Sequence, residues 1–122
     1  MTQPTARNLK VYVPAKDLAV SRAFYAALGF TVKDAWGGNV DCYMGDSVFR
    51  LQNYYVEAWA GNFMMQFDTD DANAWHEHAG RVIDSGGYGS ARALPPRSEG
   101  NDLIAQIIHP SGVLLTFIQA AS

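Results

Sequence analysis

The chain has 122 residues, of which 48% are hydrophobic and 17% charged, with a formal net charge of −3. A chain of this length is expected to fold as one domain, over residues 1–122, that buries roughly two-thirds of the surface its unfolded form exposes. Nine Lys and Arg, scattered singly among twelve Asp and Glu, exclude the basic patch that nucleic acid binding requires.

No apolar run approaches the roughly 20 residues that a bilayer-spanning helix needs. The opening MTQPTARNLK carries neither the apolar core nor the basic flank of a leader, and the single Cys42 cannot close an intrachain disulfide. A cytoplasmic location without membrane contact is therefore the expectation. Aromatic residues make up 12% of the chain, Trp36, Trp59 and Trp75 among them. That is more ring surface than a core of this size needs, and it points to a ring-lined ligand cleft or a dimer seam.

The first strand is expected in NLKVYVP (8–14), where Leu9, Val11 and Val13 alternate with Lys10 and Tyr12. Asp17 then suits the N-cap of a helix with Val20, Phe24 and Ala27 or Leu28 on one face, and Gly29 suits a left-handed stop. FTVKDAW, VDCYM and VFRLQN read as three short strands, separated by Gly37-Gly38 and by a Gly45-Asp46 hairpin turn. After a looser YYVEAWAG the order restarts. NFMMQFD (62–68) alternates, and Asp70 or Asp71 caps a helix with Ala72, Trp75, Ala79 and Val82 on one face. SGGYGSA leads to a weak strand, ARAL, which Pro95-Pro96 is expected to break. DLIAQII and VLLTFIQ flank the turn HPSG, repeating the earlier hairpin.

The fold class that follows is α+β: two tandem βαβββ modules, about 8–55 and about 62–119, forming paired curved mixed sheets around a cleft. Each helix covers one face of its own sheet, and the alternate residues of the strands line the other.

The duplication, with VPAKDLAVSRAFYAALGFTV (13–32) and HPSGVLLTF (109–117), resembles the vicinal oxygen chelate superfamily: glyoxalase I, extradiol dioxygenases and bleomycin-resistance proteins. Metal enzymes of that superfamily draw four ligands, mostly His and Glu, from the first and last strand of each module. The resemblance puts the first and third of these slots on Lys10 and Met64, the fourth on Thr116, and the second on Arg50 or Gln52. Such a set does not suit a divalent ion, which needs three or four convergent N, O or S donors. His76, His78, His109, Glu57, Glu77 and Glu99 all lie off the four ligand strands. No metal and no cofactor is expected.

The resemblance implies a cleft lined by Lys10, Tyr12, Arg50, Gln52, Met64, Gln66 and Thr116, with Trp36 and Tyr43 among the rings. Lys10 and Arg50 suit an anionic ligand, unless Lys10 pairs with Asp41 or Asp68 or lies at the rim. Tyr43, Tyr54, Tyr55, Trp36 and Trp59 suit a flat aromatic ligand or a homodimer seam. The leading expectation is a metal-free binder of a small aromatic or anionic molecule, resembling the bleomycin-resistance type. The alternatives are a metal-independent lyase or isomerase using Tyr12 or Lys10, and an assembly module with a vestigial cleft. His109 is expected on a hairpin outside the cleft, Cys42 as an inert thiol, and His76-Glu77-His78 on a solvated helix face.

Overall fold

The computed structural model describes residues 3–121; the outermost positions of the expected 1–122 domain lie outside that range. The first module contains β1 (Tyr12–Pro14), α1 (Leu18–Leu28), β2 (Thr31–Asp34), β3 (Val40–Met44) and β4 (Ser47–Gln52). A short helix, α2 (Glu57–Gly61), leads to β5 (Met64–Asp68), α3 (Ala72–Asp84), β6 (Arg92–Glu99), β7 (Asp102–Ile108) and β8 (Leu114–Gln119). The two sheets have the same plan, β1-β4-β3-β2 and β5-β8-β7-β6, with the first strand of each module parallel to the last.

Local chemistry sets these elements. The Asp17 carboxylate accepts the Val20 N–H at 3.2 Å and that of Asp71 accepts the Ala74 N–H at 3.0 Å, so each main helix starts at the acid expected to cap it. Gly29 ends α1 at φ 113°, a conformation that a Cβ disfavours. Val13, Cys42, Phe49 and Leu51 face α1, whose Phe24, Tyr25 and Leu28 are buried. In the second module Trp75 of α3 lies flat on Phe117 of β8 at 4.1 Å between centroids, with Phe67 on β5 stacked on Phe117 at 5.2 Å.

The modules meet through their helix-bearing sides. His78 Nε2 on α3 donates to the Leu28 carbonyl at the end of α1 at 3.0 Å, Phe30 meets Phe67 edge-on, and the His109 ring stacks on Tyr25. One apolar core runs through both modules, and the opposite face of each sheet points away from it.

Four expectations need correction. The first strand is shorter than 8–14, because Asn8 adopts φ 56° and the chain leaves the β4 edge before Val11. Leu9 is consequently 82% exposed instead of packed. Pro95-Pro96 does not end the sixth strand: β6 runs through them on the sheet edge with a register shift between Leu94 and Arg97, where a missing N–H breaks no ladder. The histidine face of α3 is only half-solvated, since His78 serves the α1 terminus. His109 is fully buried between the modules, as the turn after β7 folds inward onto α1.

Candidate functional site

The Gly45-Asp46 turn fixes the β3–β4 register, pairing Tyr43 with Val48 and Asp41 with Arg50, and β1 adds Tyr12 beside Arg50. With side chains alternating, Tyr12, Asp41, Tyr43, Val48, Arg50 and Gln52 share the outer face of the first sheet. Arg50 holds Asp41 in a fork, Nε to Oδ1 at 2.7 Å and Nη2 to Oδ2 at 3.0 Å. Its Nη1 donates to the Tyr12 hydroxyl at 3.3 Å, and its guanidinium stands 5.6 Å from the Tyr12 ring centre. Lys33 lies 5.4 Å over the Tyr43 ring.

The Arg50 and Asp41 side chains are only 14% and 9% exposed, so the pair is set into the wall of the sheet. The Arg50 hydrogen bonds, with the positive charges of Arg50 and Lys10 behind them, hold the Asp41 carboxyl below its ordinary value against the opposing effect of burial. The same bonds raise Arg50. The compensation that a cation on this face requires is therefore internal.

On the second sheet Met64 pairs with Leu114, Gln66 with Thr116 and Asp68 with Ile118, which gathers these residues on one outer face. Thr116 is buried there and accepts from Gln106 Nε2 at 3.4 Å. A groove of about 580 Å3 runs between the start of β4 and β5, lined by Ser47, Val48 and Phe49 from the first sheet and by Met64, Gln66 and Asp68 with core-side Met65 and Phe67 from the second. Of the residues expected to line one cleft, Met64 and Gln66 lie in this groove. Tyr12, Tyr43, Arg50 and Gln52 lie on the first sheet, with half-buried Lys10 just ahead of β1, and Thr116 lies on the second. Trp36 sits on the turn between β2 and β3, 77% exposed. Tyr54 and Trp59 form an exposed pair of rings with centroids 6.5 Å apart.

The divalent ion of vicinal oxygen chelate enzymes does not fit these residues. Its slots carry an ammonium, a guanidinium or carboxamide, a thioether and a hydroxyl, and among the described residues no three His, Cys, Asp or Glu side chains are grouped to hold a metal. Cys42 faces the core, and burial, reinforced by Asp41, pushes its thiol up to about 12. That thiol is no nucleophile at neutral pH.

The sequence matches no protein-family model and no curated protein. Solved structures resemble it over nearly their whole length. A bleomycin resistance determinant encoded on the transposon Tn5 is 24% identical, with 96% of this chain and 100% of that one covered at a TM-score of 0.74. A bleomycin-binding protein from bleomycin-producing Streptomyces verticillus, complexed with copper(II)-bleomycin, is 18% identical, with 97% and 100% covered at 0.74. A glyoxalase / bleomycin resistance protein from Catenulispora acidiphila is 16% identical, with 95% and 100% covered at 0.70. Paired sheets, duplicated modules and full coverage together give the chain the fold of the bleomycin-resistance and glyoxalase-type proteins, as its resemblance to the vicinal oxygen chelate superfamily implies.

Proposed function

We propose that this chain binds a small, flat aromatic molecule without a metal, on the outer face of the first sheet. Lys10, Tyr12, Trp36, Tyr43, Arg50 and Gln52 would make that site, with Met64, Gln66 and Thr116 across the groove. The observation that carries the reading is the Tyr12–Arg50–Asp41 set: a pre-paired polar wall flanked by Tyr43, with no metal-holding group of three His, Cys, Asp or Glu among the described residues. Two of the structural neighbours, of 18% and 23% identity, are bleomycin-binding proteins in complex with bleomycin-type ligands, which supports a small-molecule role for this fold. Because Arg50 already has a carboxylate partner, an aromatic ring is favoured over an acid. We place this activity in the cytoplasm, in keeping with a lone buried thiol.

A thermal-shift screen of planar heteroaromatics and aromatic acids tests this. A neutral aromatic ligand at 100 times its Kd is expected to add about 2.7 kcal/mol of stability. Loss of that shift in Tyr12→Ala would support the site, and an unchanged shift in that variant would reject it.

We also infer a homodimer. The outer edge of β5 has no strand partner, the start of β4 is paired with β3 alone, and exposed Val11 and Met64 line the same groove. Sedimentation at micromolar concentration is expected to give twice the 13.3 kDa chain mass; a single species of 13.3 kDa would reject the dimer.

A further inference from the structure

The turn His109-Pro110-Ser111-Gly112 joins β7 to β8 in the second module, yet its polar groups bind the first. Ser111 Oγ accepts the Lys16 N–H at 2.8 Å, a bond between residues 95 positions apart. The Ser111 N–H in turn donates to His109 Nδ1 at 2.9 Å. The His109 ring is wholly buried, stacked on Tyr25 at 5.1 Å and edge-on to Phe24 at 5.8 Å.

These contacts leave one protonation state. With Nδ1 accepting, the proton of the neutral ring is on Nε2, which is buried and has no partner among the described residues. A second proton would have to enter at Nδ1, where a donor N–H already points, and the resulting cation would sit against two aromatic rings with no carboxylate beside it. The titratable groups against the turn and its ring contacts are Tyr25 on α1, Tyr88, which packs on Phe24, and Lys16 and Asp17, both exposed at the start of α1; Arg22, also on α1, is paired with Asp34. Of the groups against the turn Asp17 is the one acid, and its carboxylate is engaged in capping α1.

We propose that His109 is an acid-sensitive latch between the two modules: neutral, it orders Ser111 to hold the start of α1, and protonated, it expels the turn and breaks the tie to Lys16. Burial pushes the imidazole down to about 3, in the same sense as the geometry. The unfolded chain takes up this proton near the ordinary value of about 6.5 and the folded chain near 3. The stabilisation is thus complete above about pH 6.5 and is lost as the pH falls from there towards 3.

The test compares the wild type with His109→Asn, which offers Ser111 an amide oxygen and does not titrate, by denaturant unfolding from pH 7 to pH 4. His76 and His78 are common to both proteins and cancel. Between pH 6 and 4 the folding equilibrium constant of the wild type is expected to fall about tenfold more per pH unit than that of the variant. Parallel curves would overturn the latch. Long-range nitrogen–proton NMR of the wild-type imidazoles decides the matter if the variant does not fold. An Nε2–H tautomer that stays untitrated until the protein opens supports the proposal, and a His109 that titrates near pH 6.5 within the folded protein refutes it.

Discussion

Alanine at Phe117 is expected to remove about 3–5 kcal/mol of stability, the usual cost of deleting a fully buried aromatic side chain. Phe117 is 1% exposed and lies between Trp75 of α3 and Phe67 of β5, so it closes the second module's helix onto its sheet. Stacked rings of this kind add about 0.5–1.5 kcal/mol each beyond area burial. Phe67 also touches Phe30 of the first module, which carries the loss across the junction. With a total of about 5–15 kcal/mol in a typical domain, the variant would keep a marginal fold. Urea denaturation followed both by Trp fluorescence and by circular dichroism checks this. A single transition shifted to lower urea is expected, whereas a loss below about 1 kcal/mol would mean that Phe117 does not close α3 onto its sheet as described above.

Asp41→Asn is expected to change what the outer face of the first sheet binds. In the wild type the Arg50 fork is occupied, so a ligand carboxylate has to compete with a carboxylate already held at 2.7 and 3.0 Å. The amide keeps the shape of Asp41 but removes its charge and one of its two acceptors. Arg50, half-buried and beside Lys10, would then be open to an aromatic acid through paired charge-assisted hydrogen bonds. The affinity for aromatic carboxylates should rise about tenfold or more, with neutral aromatics changed by less than about twofold. Titration calorimetry with one acid and its primary amide gives the comparison. Equal changes for both compounds would show that Arg50 does not meet the ligand, and would move the site off this face.

Much of this architecture is legible in the residues. The apolar alternation of the strands, the acids before each helix and Gly29 after the first give the order of elements, because each signal is local: a cap, a turn or a period. Even the Asp41–Arg50 pair has a readable signature, since a two-residue turn at Gly45-Asp46 sets 41 opposite 50, although Asp41 stands out less than the cations around it. What does not emerge depends on contacts far apart in the chain. The burial of His109 follows from α1 of the other module, and β6 tolerates Pro95-Pro96 because it happens to be an edge strand. Leu9 breaks the first alternation because the β4 edge has already been left behind. Of the expected cleft residues, Tyr12, Tyr43, Arg50 and Gln52 stand on the first sheet and Met64, Gln66 and Thr116 on the second, while Trp36 lies on a turn and Lys10 ahead of β1; periodicity within a strand says nothing about how two sheets are set against each other.

The most direct measurement is the affinity of one neutral aromatic ligand in metal-depleted buffer with excess EDTA, set beside its affinity in buffer supplemented with zinc or manganese. A wall built from Tyr12, Tyr43 and the Arg50–Asp41 pair predicts the same Kd in both buffers, within about twofold. Binding abolished by EDTA and restored by a divalent ion would contradict it.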